Sequence, residues 1–336
     1  MDIKDAIGNV VNHKDLSADE MRAVMTQIMT GHATPTQIGG FLAGLRAKGE
    51  TVTEITSAAK VMRELSMPVK VNVPHLVDTC GTGGDGQHIF NVSTAAAFVV
   101  AAGGGHVAKH GNRSMSSKSG SADLLEAMGI PLELPPDRVA ECIEQVGIGF
   151  MFAPAHHPAA RYAALPRREL GTRTMFNLLG PLTNPANTPH QLLGVFAERW
   201  VEPLAKVLQS LGSTHVLVLH SEDGLDEISL AAPTRVSELK GGKVVNYIIK
   251  PEEFGIRRQA MDSLQVDSPE ASLDRVREAL AGKPGPALDM VLLNAGAALY
   301  AADVAPTLTD GVHQARRVID EGAAERKVQE LVEATR

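Results

Sequence analysis

The run Asp78-Thr79-Cys80-Gly81-Thr82-Gly83-Gly84-Asp85-Gly86 follows a short apolar segment, Leu76 to Asp78. It leads into Phe90-Asn91-Val92-Ser93-Thr94 at the head of an Ala-rich stretch. The order predicts a strand, a Gly-rich loop and a helix. The four glycines of the loop, Gly81, Gly83, Gly84 and Gly86, free the backbone for positive φ and let N–H groups converge on an anion. The helix start adds unpaired N–H groups, the positive end of the helix dipole and the Ser93 and Thr94 hydroxyls, which together make a phosphate site. No Gly-Lys-Ser/Thr ends the loop, so it is not a Walker loop, and its glycine spacing does not match a dinucleotide fingerprint. A strand, an anion loop and a helix in this order belong to an α/β fold with a mostly parallel sheet, whose ligands lie in loops at the carboxyl ends of the strands.

On either side the punctuation is clear. Before Pro68 only helices are predicted. Ser17 with Glu20 forms a capping box ahead of Met21, Val24, Met25, Ile28 and Met29. Thr34-Pro35 with Gln37 opens a helix that ends near Gly49, and Thr51 with Glu54 opens another through Ile55, Ala58, Met62 and Leu65. The Met-rich faces read as core or as subunit contacts. After Pro68, Val69 to Val73 reads as a strand or a linker. Strands are predicted at 76–78, 106–109, 148–152, 192–196, 215–220 and 244–249. Helices are predicted at 93–102, 121–128, 137–146, 203–211, 272–281 and 288–302, with a last one from Val312 onward.

The chain has 336 residues and a net charge of −7, unevenly placed. From Gly86 to Ala122 there is no acid, while Lys109, Arg113 and Lys118 give +3; from Gln145 to Ala197 four arginines against Glu169 give another +3. The remainder therefore carries −13. An acidic body with two basic windows opposes a general nucleic-acid binder and predicts a locally positive anion site. Lys109-His110-Gly111-Asn112-Arg113-Ser114-Met115-Ser116-Ser117-Lys118-Ser119-Gly120-Ser121 offers three cations and five hydroxyls, suited to a diphosphate and ribose hydroxyls. Two cysteines, Cys80 and Cys142, supply neither a disulfide framework nor a cysteine-rich zinc site. The first residues are not a signal peptide, and Ala95 to Gly105 is too short and Gly-rich to cross a bilayer, so a cytoplasmic protein with no membrane partner is expected.

The runs Gly81-Thr-Gly-Gly-Asp85, Asn91-Val-Ser-Thr94 and Lys109-His-Gly-Asn112 resemble those of anthranilate phosphoribosyltransferases. So do His156-His157-Pro158-Ala159, the stretch Arg167 to Pro185, Asp223-Gly-Leu-Asp-Glu227 and Leu293-Asn294-Ala295-Gly296-Ala297. These motifs span almost the whole chain. The resemblance implies a nucleoside phosphorylase/phosphoribosyltransferase-like fold: a small all-helical domain plus a large α/β domain with a mostly parallel central sheet. The small domain would be residues 1–67 joined by helices from about 165–188; the large domain would be 68–164 and 189–336. It implies transfer of the phosphoribosyl group from 5-phosphoribosyl 1-diphosphate to the amine of anthranilate in tryptophan synthesis, and a homodimer formed through the helical domain.

Carried over residue by residue, the resemblance puts the phosphoribosyl diphosphate contacts on Gly81, Gly84, Asp85, Ile89, Asn91, Val92, Ser93, Thr94, Lys109, His110, Gly111, Asn112, Arg113, Ser114, Met115, Ser116, Ser117 and Ser121. Anthranilate would meet Gly81, Asn112, His157, Arg167 and Gly180. Magnesium, as two ions, would be held by Ser93, Asp226 and Glu227. Ile89 departs from the hydroxyl residue common in relatives and leaves only a backbone contact there.

The chemistry suits these types. Displacing diphosphate from an anomeric carbon builds positive character at carbon and negative charge on the leaving oxygens, so positioning and charge stabilisation dominate. Carboxylates suit Mg2+. Adjacent Asp226 and Glu227 point apart on an extended chain, so a bend at Gly224 is expected. Arg167 can fork onto a carboxylate, and Asn112 can accept from the amine. His110 and His157 are the nearby candidates for a base, or else shape the aromatic pocket. Two competing readings are a pyrimidine nucleoside phosphorylase and a relative that lost catalysis and binds nucleic acid.

Overall fold

In a computed structural model of the chain, which describes residues 1–114 and 118–336, four helices come first: α1 (Ile3–Val11), α2 (Ala18–Met29), α3 (Pro35–Lys48) and α4 (Val52–Glu64). Both halves of the capping box form at Ser17/Glu20, Thr34/Gln37 and Thr51/Glu54. Each cap satisfies otherwise orphaned N–H groups and stabilises its helix by about 1 kcal/mol. Glu54 does more. Fully buried, it accepts from the Leu16 and Thr51 N–H groups and from the Lys48 ammonium, which ties the start of α4 to the entry of α2. Met21, Met25 and Met29 lie at 0–2% exposure in this chain's own core. They therefore cannot also face a partner, and the subunit-contact alternative for them falls away.

The α/β part follows as β1 (Leu76–Asp78), α5 (Val92–Ala102), β2 (His106–Gly111), α6 (Ser121–Ala127), α7 (Pro136–Gln145), β3 (Ile148–Phe152) and α8 (Ala153–His156). Next come α9 (Arg161–Leu170), α10 (Phe176–Leu179), β4 (His190–Gly194), α11 (Val201–Ser210), β5 (His215–Ser221), β6 (Thr234–Lys240) and β7 (Lys243–Ile249). Helices α12 (Pro269–Leu280), α13 (Pro286–Ala301), α14 (Leu308–Asp320) and α15 (Ala323–Ala334) complete the chain. The seven strands form one sheet in the order β3-β2-β1-β4-β5-β6-β7. The first five are parallel; β6 and β7 join antiparallel at one edge. Strand order reverses between β1 and β4, the switch point at which loops diverge and open a crevice. The Gly-rich loop leaves β1 at that point.

Four expectations shift. Val69 to Val73 forms no strand; Val69 instead donates its N–H to the Pro185 carbonyl. The C-terminal helix is two, α14 and α15, divided at Gly322, whose φ of +65° breaks the helical path. Strand β6 was not anticipated, although Gly241-Gly242 between β6 and β7 is a two-residue hairpin signal. β4 also starts two residues earlier than its apolar run, because His190 and Gln191 pair in register with His215 and Val216.

Two large apolar clusters cover the sheet, with a smaller third around Leu76, Ala108, Val139, Ile143 and Met151. One is built on α5 and α13, both apolar around nearly their whole circumference. The other joins α1–α4 to Ala163, Phe176, Leu179, α11 and the Leu193, Val216 and Val218 face of β4 and β5. Helix α9 packs on α2 and α3, and α10 packs on α4.

Candidate active site

The loops at the carboxyl ends of β1, β2, β3 and β5 surround one cleft of about 600 Å³. It gathers Gly81, Gly84, Asp85, Ile89, Asn91, Val92, Ser93, Lys109, His110, Gly111, Asn112, Arg113, Ser114 and Ser121 with His157, Arg167, Gly180, Asp226 and Glu227. Thr94 is the exception among the described candidates: it is the third residue of α5, buried at 1%, and does not line the cleft. Met115, Ser116 and Ser117 lie outside the described residues.

Three of the four loop glycines use the left-handed region, Gly83, Gly84 and Gly86, with φ between +63° and +79°. Gly81 does not; it is required for space, since a Cβ there would stand 3.2 Å from Asp226 Oδ2. Asp226 accepts from the Gly83 N–H at 2.7 Å, and Thr82 exchanges bonds with the Gly194 carbonyl and the Phe196 N–H. At Gly194 a Cβ would overlap the Asp226 carbonyl. Arg173 donates to the Gly84 carbonyl and lies 4.4 Å over the Phe196 ring. The loops after β1, β4 and β5 are thus one interlocked unit.

Gly224, at φ +95°, provides the bend that adjacent Asp226 and Glu227 need. Burial and the Asp85 carboxylate push the Asp226 carboxyl up, and Asp85 and Asp226 share a hydrogen bond. Burial, then Asp226, pushes Glu227 up, while the Ser93 N–H at the head of α5 holds it down. Like charges collected out of water repel unless a proton or a cation lies between them. Oxygen ligands of this kind, with Ser93 beside them, fit Mg2+.

The expectation of a locally positive cleft does not hold. Lys109 is buried, and its Nζ turns down onto the Thr79 carbonyl and hydroxyl and the Ser93 hydroxyl at 2.9–3.3 Å. Burial lowers its pKa against the fields of Asp78 and Glu227. Arg113 is engaged by Glu126 through both nitrogens and by Asp123. A sequence window free of acids is not free of them in space: Asp123 and Glu126 fold back from α6, and Asp78, Asp85, Asp226 and Glu227 converge on the floor. Asp78 is fully buried, pushed up to about 6 by desolvation and held by Asn184 Nδ2 at 2.7 Å and the His110 N–H.

The opposite wall is different. Arg167 on α9 is half-buried, 5.1 Å over the Phe176 ring, with no carboxylate partner among the described residues. Burial alone lowers its pKa. An unmatched buried guanidinium is a receptor for an anionic ligand. His110 and His157 meet edge to face at 5.1 Å. His110 Nδ1 faces the Gly180 carbonyl at 3.1 Å, so it carries the proton and leaves Nε2 as a bare acceptor. Thr183 engages the other ring in the same way, and both Nε2 atoms are buried without a partner among the described residues. Burial pulls His110 down to about 3 and His157 to about 4, which makes both neutral acceptors and weak bases.

Two residues named in the sequence motifs have positioning roles that the motifs alone do not state. The Asn91 side chain bonds Ser119 and Ser272, tying the loop after β2 to α12. Asn294, fully buried in apolar α13, donates to the Ile228 carbonyl and accepts from the Ile228 N–H, one residue beyond Glu227. Its signal was a lone amide inside a run of Leu and Ala. Ile89 bridges antiparallel to Gln265, packs against the main core and lines the cleft.

Family models for the glycosyl transferase family match the chain in two parts, the helical bundle domain over residues 4–66 and the a/b domain over 73–325. Anthranilate phosphoribosyltransferase of Thioalkalivibrio sulfidiphilus is 60% identical over 100% of this chain and 99% of its own length. That of Methylococcus capsulatus is 58% identical over 100% and 98%. The crystal structure of the Thermus thermophilus enzyme superposes with a TM-score of 0.93 at 44% identity, covering 98% and 99% of the two chains. The Saccharomyces cerevisiae enzyme in complex with PRPP and Mg superposes with a TM-score of 0.89 at 25% identity, over 99% and 97%.

Proposed function

The chain belongs to the anthranilate phosphoribosyltransferases of the glycosyl transferase family, and from that premise we propose how its residues transfer a phosphoribosyl group from 5-phosphoribosyl 1-diphosphate to the anthranilate amine. The observation that carries this reading is the division of one cleft into two chemically opposite walls. The floor holds Asp85, Asp226 and Glu227 beside the head of α5; the far wall holds unmatched Arg167 with two neutral imidazoles.

In this reading the diphosphate lies against the Gly-rich loop, Ser93 and the loop after β2. Asp226 and Glu227, with Ser93, would hold magnesium, proposed as two ions, whose positive charge would balance the charge on the leaving diphosphate. Arg167 forks onto the anthranilate carboxylate and turns the ring so that its amine faces the anomeric carbon. The amine hydrogens then meet the bare acceptors His110 Nε2 and His157 Nε2, with the Asn112 side-chain oxygen, which also accepts from the Arg113 N–H, beside them. An aryl amine is uncharged near pH 7, so attack needs no prior deprotonation. The imidazoles orient it and exclude water, and positioning accounts for most of the acceleration.

The working division would be a helical unit of residues 1–67 with about 165–188 against an α/β unit of 68–164 and 189–336, with the cleft at their boundary. A homodimer through the helical unit is part of the proposal. Its support is no longer the buried methionines but Met1, Val11, Leu65, Met67, Tyr162 and Leu165, which are 37–59% exposed. A cytoplasmic location is proposed as well; among the described residues no helix is long and apolar enough to cross a membrane.

The test is the loss of anthranilate fluorescence when protein, anthranilate, Mg2+ and phosphoribosyl diphosphate are mixed, with each omitted in turn. Loss in the absence of the donor or the metal would refute the reading. Asp226→Asn with Glu227→Gln should abolish magnesium-dependent turnover; near-normal turnover would remove both from the metal site.

A further inference from the structure

At the opposite end of the sheet from the cleft, His190 and His215 begin β4 and β5 and pair in register. Asp303 follows α13 in a left-handed turn, φ +56°, that brings its carboxylate across both rings. One ligand atom from each residue lies within 4.8 Å of the other two. We propose that His190 Nδ1, His215 Nδ1 and the Asp303 carboxylate form a second metal site, for a divalent ion of the zinc class.

The orientation of the two rings carries the argument. Glu238 accepts from His215 Nε2 at 3.1 Å, and Tyr300 and Tyr247 donate to Glu238 at 2.7 and 2.9 Å. Those bonds, against desolvation, hold the Glu238 carboxyl down to about 2, so it is ionised and fixes the proton on Nε2. His215 Nδ1 then faces Asp303 Oδ1 at 2.7 Å. The His190 ring is engaged by the Ala301 carbonyl, and its Nδ1 is buried with no hydrogen-bond partner among the described residues. Each imidazole thus has its outward nitrogen tied to an oxygen acceptor and its inward nitrogen turned to one carboxylate. Metal-ligating histidines are oriented by outer partners of this kind. Burial keeps His190 below its ordinary value, and therefore neutral, as a ligand must be.

Two imidazoles and a carboxylate suit Zn2+ or Co2+ and disfavour Mg2+, so this site and the carboxylate floor of the cleft select different ions. Asp303 is 48% exposed, which leaves an entry path and room for water as a further ligand. The ion would sit where His215 Nδ1 and Asp303 Oδ1 meet at 2.7 Å in the metal-free protein. Lys240, 3.7 Å from Asp303 Oδ1, is the competing cation. It is 45% exposed and already lies 4.3 Å over the Tyr300 ring, where it stays when the ion enters. His75 is the remaining titratable neighbour, and its Nδ1 is turned to the Ala302 carbonyl.

The test is Co2+ titration of tag-free protein in excess Mg2+. The expected result is one equivalent bound and the intense visible bands of a low-coordinate cobalt site. The bands should remain in Asp226→Asn/Glu227→Gln. They should be lost in His190→Ala and in Asp303→Ala, both with unchanged turnover and metal-free circular dichroism. Should either variant fail to fold, imidazole NMR of the wild type needs no substitution, and paramagnetic shifts of His190 and His215 are expected. Absent bands, bands that survive in either folded variant, or unshifted resonances would overturn the proposal and leave a hydrogen-bonded His215–Asp303 pair.

Discussion

Replacing Arg167 by Ala should weaken anthranilate use alone. The guanidinium is half-buried on α9, stacked on Phe176 and unmatched by any described carboxylate. It is therefore free to make a charge-assisted fork to a ligand carboxylate, worth about 2–3 kcal/mol. At 1.36 kcal/mol per decade, kcat/KM for anthranilate should fall roughly 30- to 160-fold. The KM for phosphoribosyl diphosphate should change by less than about 3-fold, since the loops that hold it lie on the other wall and the loss is confined to the transition state's anthranilate half. Stability separates this from a structural role. Removing a buried cation that has no partner strands no charge, so the ligand-free variant should unfold within about 1 kcal/mol of the wild type. The assay pairs steady-state fluorescence kinetics in each substrate with urea unfolding. Equal losses in both KM values, or a destabilisation of several kcal/mol, would refute the reasoning. Arg167→Lys should recover only part of the loss, because a point charge cannot fork.

Gly194→Ala should displace the Asp226 backbone and with it the metal carboxylates, costing roughly 10²-fold in kcat with a raised magnesium requirement; unchanged kinetics would mean the contact is not held in solution. Asn294→Ala should strand the buried Ile228 N–H and C=O, destabilise the chain by about 2–4 kcal/mol in urea, and lower kcat more than it raises the anthranilate KM. His110 and His157 have folded values near 3 and 4, below the unfolded 6.5, so the stability they contribute is complete above pH 6.5 and is lost as pH falls through 4 toward 3. Thermal midpoints should therefore drop on acidification and recover in a His110→Phe variant over part of that range. For the same reason kcat/KM should show no imidazole limb between pH 6 and 8.

Local chemistry made much of the fold legible. Capping boxes at Ser17, Thr34 and Thr51 need only residues three apart, and they start helices where expected. The glycines at 83, 84 and 86 occupy positive φ because the loop's turns demand it, and Gly224 bends for a reason the paired carboxylates state in advance. What the sequence hid was set by distance. Arg113 looked free until α6 returned Asp123 and Glu126 to it. Lys109 sits in an acid-free window of sequence, yet in space Asp78 and Glu227 lie beside it and its ammonium turns onto Thr79 and Ser93. The Asn91 amide, placed at a helix head, is used up by Ser119 and by Ser272, 181 residues away. Gly194 gives no sign in its own surroundings that another loop's carbonyl lies where its side chain would be. Each of these depends on which loops the strand order brings to the switch point, and that order is not written in any one motif.

The Asn294 clamp changes what a partial chain is worth. Every motif that touches the cleft has been spelled out by Glu227, and Ser221 holds the Glu227 carbonyl and the Ser229 N–H locally, yet the Ile228 N–H and C=O between them are fastened by an amide 66 residues further on. During synthesis the metal-binding turn therefore stays loose until α13 has left the ribosome and packed against α5. A chain stopped after β7 would contain all the recognisable signature residues and still lack the rigid floor on which they depend. An intact set of motifs in a shortened gene is thus no guarantee of a working site.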